Sequence, residues 1–139
     1  MSVRHFDELK VGDVLPTLKL PPISRTTLAL FAGASGDHNP VHIDIDFAKA
    51  SGMPDVFAQG MLSMAYLGRF LTLWVPQSQL RHYAVRFSAI TFIGAQLICS
   101  GKIKEKLERH GERLVKLEID VTDERGEVKL TGEALVALH

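Results

Sequence analysis

The strongest constraint on the fold is the segment from Ala58 to Val75, which is apolar on nearly all sides. A helix with an apolar surface all round is buried on most sides rather than lying on the outside of a domain. Gly60 and Gly68 each cost about 1 kcal/mol relative to alanine inside a helix, so we expect another group to approach the backbone closely there. Pro76 ends the segment. The sequence therefore predicts one central helix around which other elements wrap.

The second half of the chain changes to the two-residue period of β-strands. Between Leu114 and Val121, for example, apolar residues alternate with Lys116, Glu118 and Asp120. The same alternation predicts four strands, at His82–Ile90, Gln96–Lys106, Leu114–Val121 and Val128–Leu138. The connections after the second and third strands are short and predict antiparallel pairing. We therefore expect a four-stranded meander packed on the helix.

The first half of the chain contains shorter elements. Three prolines restrict residues 11–23 to a short edge strand followed by a loop. Ser24 is typical of a helix N-cap, and that helix is expected to stop near Gly36. Asp46 is predicted to cap a second short helix, Phe47–Ser51. Helices followed by strands indicate an α+β layer.

Composition limits the class of protein and its partners. The 139 residues are enough for a single domain, 1–139, with a core of its own, and 16 basic side chains balance 16 acidic ones. This balance argues against nucleic acid or an anionic membrane as partner. The longest apolar stretch contains Arg69 and is too short to span a bilayer. Cys99 is the single cysteine, and residues 1–8 lack the apolar core of a signal peptide, so we expect a cytoplasmic location.

The loop Ser35–Asp44 carries the residues best suited to chemistry. It places the carboxylate of Asp37 five positions before the imidazole of His42. Pro40 fixes its own φ and biases Asn39 toward an extended backbone, so a defined loop presents both side chains. A carboxylate and a histidine held together can share one water and move its protons, which is the minimum for adding water to a double bond or removing it. An ordinary helix-ending turn is the alternative interpretation.

Three stretches, Phe31–Asp44, Phe57–Leu62 and Leu130–Val136, carry a family resemblance, together with Val11–Asp13 and Arg86–Phe87. They resemble the MaoC-like dehydratase family, which includes (R)-specific enoyl-CoA hydratases. The resemblance covers essentially the whole chain. Its most specific part is the Gly-Asp-x-Asn-Pro-x-His element followed by Gly-Met-Leu.

The resemblance implies a hot-dog fold, in which an antiparallel sheet rolls around one long central helix. It implies that Asp37 and His42 form the catalytic pair and that the Gly60 N–H polarises a thioester carbonyl, with no cofactor. Asn39 matches a residue that shapes the loop. The fold usually dimerises, so an acyl-CoA or acyl-carrier-protein thioester would enter between two subunits. Those subunits would be two copies of this chain, or this chain and a paralogue.

Several residues near these motifs are predicted to bind substrate, namely Asn39, Phe57, Gln59, Met61 and Arg86. A glycine at position 60 lets substrate approach, and an N–H at a helix start is a fixed donor with a favourable dipole. The family commonly has His where this chain has Gln59. Because the backbone N–H of Gly60 is the functional group, we expect activity to survive, with a different substrate preference.

Three other interpretations compete with an Asp/His hydratase. A metal site between His38 and Asp46 matches no zinc spacing, so no metal is expected. A hot-dog thioesterase is disfavoured, since such enzymes use a carboxylate on the central helix and residues 58–75 contain none. An acyl-CoA-binding subunit of a hetero-oligomeric dehydratase, inactive alone, stays open, because an intact acid–base pair does not exclude the need for a partner.

Overall fold

The computed structural model describes residues 4–139. Met1, Ser2 and Val3, which belong to the segment searched for a signal peptide, lie outside the described residues. Within the described range the strands are β1 (Leu18–Lys19), β2 (Leu80–Phe87), β3 (Ile98–Arg109), β4 (Glu112–Thr122) and β5 (Val128–Leu138). The α-helices are α1 (Arg25–Ser35), α2 (Ile45–Ala50) and α3 (Gly60–Trp74). Single turns of 3-10 helix occur at Phe6–Glu8, Pro40–His42 and Gln77–Gln79.

The strands form one antiparallel sheet in the order β1-β3-β4-β5-β2. The consecutive hairpins β3–β4 and β4–β5 confirm the predicted pairing, with Cys99 opposite Val121 in the first. The predicted four-stranded meander is wrong at its first step, because β2 crosses to the far edge and pairs with β5, where Val85 lies opposite Gly132. Gly132 allows this pairing, since a Cβ there would lie 2.3 Å from the carbonyl oxygen of Ala84.

The predicted strands are present, with ends displaced by a few residues. The strand β2 begins at Leu80 and ends at Phe87, whereas the predicted strand ran from His82 to Ile90. Residues 88–91 leave the sheet and line a cavity beside α3. The sheet therefore stops where the cavity begins.

The helix α3 lies against one face of the sheet, which curls around it, and this confirms the predicted hot-dog architecture. Its buried residues are Leu62, Ser63, Leu67, Phe70, Leu71 and Trp74. Gly101 of β3 lets the helix come close, because a Cβ there would lie 3.1 Å from the ring of Phe70. Burial of each large apolar side chain contributes roughly 1.5–3 kcal/mol, so this interface supplies much of the stability.

The opposite side of α3 is open in the single chain. Met61 and Leu73 are each 54% exposed, and Ala65 between them is exposed as well. The helix is buried or half-buried on most sides, as expected, and is exposed along a single stripe that includes Met61, Ala65 and Leu73. Across residues 4–139, no helix combines the length and apolarity that crossing a membrane requires.

The helix ends follow local hydrogen bonding. The Ser24 hydroxyl accepts from the Thr27 N–H and begins α1, as predicted. The predicted cap of α2 at Asp46 is wrong. Asp44 has the extended backbone of an N-cap, and its Oδ1 accepts from the N–H groups of Asp46 and Phe47. Helix α2 therefore begins at Ile45 and ends at Ala50, and Asp46 lies in its first turn, where the helix dipole favours an acid.

Candidate active site

The loop after α1 is shaped by side chains that bond to backbone close by. Gly36 ends α1 with a φ of +76°, a left-handed conformation that glycine adopts without strain. Asp37 Oδ1 then accepts from the Asn39 N–H at 3.3 Å, and Asn39 Oδ1 accepts from the Val41 N–H at 3.1 Å. Pro40 begins the 3-10 turn in which its missing N–H is not needed. The predicted role of Asn39 in shaping the loop agrees with this geometry.

The His42 side chain is buried and held in one tautomer. Its Nδ1 lies 2.7 Å from the carbonyl oxygen of Phe57, and the two rings meet edge-on with centroids 5.1 Å apart. Because a carbonyl can only accept a hydrogen bond, Nδ1 must donate, and a neutral ring then keeps its lone pair on Nε2. Phe57, predicted as a substrate-binding residue, thus contacts the imidazole through both its carbonyl and its ring.

The lone pair of His42 faces the carboxylate of Asp37. The distance from Nε2 to Asp37 Oδ2 is 3.6 Å, and the Asp37 side chain is 42% exposed whereas that of His42 is 9% exposed. This distance is too long for a direct hydrogen bond and is of the size that one bridging water spans. Both atoms are acceptors, so they can hold the two hydrogens of one water molecule. The structure therefore brings the predicted pair together at the edge of the protein interior.

The start of α3 lies beside the imidazole. Gly60 is the first residue of the helix, so its N–H has no partner within the helix, and within the part of the chain described no side chain caps this end. A Cβ on Gly60 would be crowded, because it would lie 3.1 Å from two ring carbons of Phe87 and the ring would have to shift slightly. The close approach of another group that the sequence predicts at Gly60 is therefore made here by the Phe87 ring.

Two cavities lie near this helix start, one lined by Gly60 and the other by Met61. The first has a volume of about 330 Å³, and its lining includes His42, Phe57, Gly60, Ser63, Phe87 and Lys129 together with residues 88–91. The second, of about 420 Å³, is an apolar groove along the open side of α3, lined by Phe31, Ser35, Asp37, Met61, Met64, Ala65, Gly68 and Tyr83. His42 therefore lines the first cavity and Asp37 lines the second.

The other predicted binding residues have different surroundings. Gln59 is fully buried, and its Nε2 donates to the carbonyl oxygen of Leu28 at 3.1 Å, while its Oε1 has no hydrogen-bond partner. Met61 lies exposed in the apolar groove. Arg86 lies on β2 between two residues that point toward α3, so alternation turns it to the other face of the sheet, away from both cavities.

Sequence reasoning missed three residues that shape the site. Phe87 packs on Gly60, the Tyr83 hydroxyl donates to the Met64 carbonyl, and Lys129 lines the cavity. Burial raises the pKa of Tyr83 well above its usual value, so its hydroxyl stays protonated and keeps donating. Of these, Phe87 belongs to the Arg86–Phe87 segment that carries the family resemblance, whereas no sequence signal marked Tyr83 or Lys129. No group of three or more His, Cys, Asp or Glu side chains in residues 4–139 could hold a metal ion.

Comparison with known proteins identifies the family of this chain. The MaoC like domain family matches residues 9–125. The (R)-specific enoyl-CoA hydratase of Rhodospirillum rubrum is 30% identical over 112 residues, which is 76% of each chain. The mitochondrial 3-hydroxyacyl-[acyl-carrier-protein] dehydratase of Arabidopsis thaliana is 26% identical over 138 residues, 99% of this chain and 82% of its own.

Solved structures show the same fold. The unliganded R-hydratase from Pseudomonas aeruginosa superimposes with a TM-score of 0.85 at 28% identity, over 97% of this chain and 86% of its own. The structural match covers nearly the whole chain, and the family match over residues 9–125 includes the Asp37–His42 loop and α3. The chain belongs to the MaoC-like hydratase and dehydratase family, which acts on acyl thioesters.

Proposed function

We propose that this protein adds water to trans-2-enoyl thioesters with (R) specificity, or removes it from 3-hydroxyacyl thioesters in the reverse direction. The observation that carries the proposal is the 3.6 Å separation of His42 Nε2 and Asp37 Oδ2. Both atoms accept hydrogen bonds, and they lie next to a helix start whose first N–H is free to bind a thioester oxygen.

The reaction would proceed on one water. His42 Nε2 and Asp37 Oδ2 hold its two hydrogens and direct its oxygen toward Cβ of the enoyl group. The thioester carbonyl binds the Gly60 N–H, which stabilises the negative charge that develops on the oxygen as the C–O bond forms. The hydroxyl group ends on Cβ and a proton ends on Cα. The acid and base roles are assigned to the Asp37–His42 pair rather than to one residue, because both contact the same water.

The substrate would be an acyl-CoA or an acyl-carrier-protein thioester, and no cofactor takes part. The cavity beside His42 and the groove beside Asp37 provide two sides for the acyl chain and the pantetheine arm. Phe57 and Met61 border these spaces. Gln59 does not face them; its side chain holds the start of α3 in place through its hydrogen bond to the Leu28 carbonyl. We place the reaction in the cytoplasm.

We further propose that a second hot-dog domain covers the open side of α3. The apolar groove contains Asp37, and the neighbouring strand β2 is at the edge of the sheet, where its outer backbone groups are unpaired. A second copy of this chain is the proposed occupant. Light scattering of the purified protein tests this, because a stable and active monomer would contradict it.

The second candidate function is a subunit that binds acyl-CoA and is active only with a paralogue. The exposed groove at the site favours it, because the site would then be incomplete in one chain. The ChsH1–ChsH2 complex from Mycobacterium tuberculosis shares the fold, with a TM-score of 0.79 at 24% identity, and contains two different chains.

One experiment separates the two functions. The purified chain alone is mixed with a panel of enoyl-CoA thioesters, and the loss of the conjugated-thioester absorbance is followed. Hydration by the wild type, absent in Asp37→Asn, is expected if the chain is an enzyme by itself. Binding of the thioesters without turnover would support the subunit that needs a paralogue. The length of acyl chain turned over fastest defines the substrate class.

A further inference from the structure

A buried ion cluster lies next to the proposed active site. The Lys129 side chain is 6% exposed and that of Asp123 is 4% exposed, with 3.5 Å between Nζ and Oδ2. Lys129 Nζ also contacts the Glu127 carboxylate and donates to the Ile90 carbonyl oxygen at 2.9 Å. Two carboxylates and one carbonyl therefore surround a single ammonium group. Glu127 is 60% exposed, but the Lys129–Asp123 pair is buried, and burying such a pair is costly enough to call for a role beyond packing.

The turn between β4 and β5 gives this cluster a fixed base. Asp123 Oδ1 accepts from the N–H groups of Arg125 and Glu127, each at 2.9 Å. Burial alone would raise the pKa of Asp123, but these N–H groups and the Lys129 ammonium outweigh it and lower the pKa, which keeps the carboxylate charged. Lys129 is thus anchored on one side to a rigid turn.

On its other side Lys129 holds the wall of the cavity. Its Nζ binds the Ile90 carbonyl, and its own carbonyl accepts from the Ser88 N–H at 2.9 Å. The same wall segment then reaches the residues before α3: the Thr91 carbonyl accepts from the Ala58 N–H at 2.8 Å. Lys129 and the start of α3 are therefore connected through residues 88–91.

The last step of this connection ends at the imidazole. Phe57 forms a β-bridge with Phe92, and their rings meet at 6.4 Å between centroids. The Phe57 carbonyl is the group that binds His42 Nδ1 at 2.7 Å. A shift of the wall segment would therefore move the acceptor that fixes the His42 tautomer and the direction of its Nε2 lone pair.

From these contacts we propose that Lys129 is a positioning residue for His42, acting through the wall segment 88–92 and the Phe57 carbonyl. This role rests on the proposed hydration chemistry, in which His42 Nε2 must face the water. Lys129 itself need not touch the substrate. The ammonium pulls the Ile90 carbonyl toward the fixed β4–β5 turn and so sets the position of the Phe57 segment.

The test compares Lys129→Met with wild type by two measurements, the ¹H–¹⁵N spectrum of the His42 imidazole and steady-state hydration of an enoyl-CoA. Methionine keeps the apolar stem and removes the donor. We expect the Nδ1–H signal to exchange faster and the tautomer to become mixed. The kcat should fall by about 10-fold or more, toward the 10²-fold that a displacement on the order of 1 Å can cost.

The matched control is Lys104→Met, which removes an exposed lysine 3.8 Å from Glu118 on the outer face of the sheet. It should leave both measurements unchanged. Because Lys129→Met leaves the buried Asp123 carboxylate without its cation, the double variant Lys129→Met/Asp123→Asn is made beside it. This variant removes one charge of each sign, and its Asn oxygen still accepts from the turn. The double variant carries the test if the single variant does not fold.

Unchanged His42 signals and unchanged kcat in a folded variant would overturn the proposal. A higher KM with unchanged His42 signals would also overturn it, because Lys129 would then contact substrate directly. If neither variant folds, Lys129 has a general structural role and the positioning role is rejected. If the wild type lacks hydratase activity, the proposed function fails, and the imidazole spectrum still decides whether Lys129 positions His42.

Discussion

The two halves of the candidate site are held in place in different ways. The loop with Asp37 and His42 is shaped by bonds between near neighbours, since Asp37 bonds to the Asn39 N–H and Asn39 to the Val41 N–H. The start of α3 is held by groups from distant parts of the chain. The Leu28 carbonyl oxygen accepts a hydrogen bond from the Gln59 side-chain amide, and the Phe87 ring packs 3.1 Å from where a Gly60 Cβ would be.

This difference predicts how the halves respond to mutation. A loop built from local bonds keeps its backbone when a reactive side chain is replaced, so activity falls while stability stays. A helix start built from long-range contacts couples activity to packing, so variants there require controls of matched shape. His42 joins the halves, because it lies in the local loop while its Nδ1 binds the Phe57 carbonyl.

The largest expected effect tests the local half. Asp37→Asn and His42→Ala should each lower kcat for enoyl-CoA hydration by roughly 10²–10⁴-fold, the usual contribution of a general acid or base. The double variant should be little worse than either single one, because both residues act on one water. Thermal unfolding should change little for Asp37→Asn. Near-normal turnover of Asp37→Asn would exclude the mechanism, and a large loss of stability would break the contrast between the halves.

The next effect tests the long-range half at Gly60. Gly60→Pro removes the N–H donor and should lower kcat by about 10²–10³-fold, the cost of losing one oxyanion donor. Proline suits the first helical position, and the preceding Gln59 already has a ψ of 133°, as the residue before proline prefers. The measurement is kcat at saturating enoyl-CoA.

Gly60→Ala is the matched control, because it adds the same Cβ against Phe87 and keeps the N–H. Combining each variant with Phe87→Ala removes the contact that a Cβ would make at 3.1 Å. The difference between Pro and Ala then isolates the donor. Equal kcat for the Pro and Ala variants in the Phe87→Ala background would show that Gly60 is not the oxyanion donor.

The same contrast explains what could be predicted from the sequence. Ser24, Gly36 and the Asp37–Pro40 turn act through neighbours, so their residue types indicated the end of α1 and the shape of the loop. The crossing of β2 to β5 depends on the missing side chain of Gly132, which meets a strand far away in sequence. No local period contains that information, and the predicted meander was wrong for this reason.

Long-range packing likewise hid part of the site. The sequence predicted a close approach of another group at Gly60 but did not say which one, and in the structure the Phe87 ring lies 3.1 Å from where a Cβ would be. Lys129 lies next to Leu130 on an alternating strand, and alternation alone would place it on the opposite, exposed face. The wall segment and the β4–β5 turn cover it, and both are placed by tertiary contacts.

A smaller effect is expected at Gln59, whose buried amide has a hydrogen-bond partner for its nitrogen but none for its oxygen. Gln59→Met removes the donor to Leu28 and also the buried Oε1 that lacks a partner. These changes oppose each other, so the free energy of unfolding in urea should fall by less than about 1 kcal/mol. Gln59→Glu has nearly the same shape but places a carboxylate against the Leu28 carbonyl, and it should cost several times more, about 3 kcal/mol or above. Equal stability of the two variants would show that residue 59 is solvated.

The smallest effect concerns Asp55, which links the residues before Phe57 to α1. Arg25 donates to its two carboxylate oxygens at 2.9 and 2.8 Å, and this hydrogen bonding lowers the pKa of Asp55 in the folded protein. A folded-state pKa below the unfolded value gives stability that is present above about pH 4 and is lost as the pH falls further. Urea unfolding at pH 7, 5 and 3 should therefore show a smaller acid loss for Asp55→Asn than for wild type. Because the pair is exposed, 1 M salt should reduce the difference. If the unfolding free energies of the two proteins change with pH in the same way, with and without salt, the Arg25–Asp55 pair does not help to hold the start of α3.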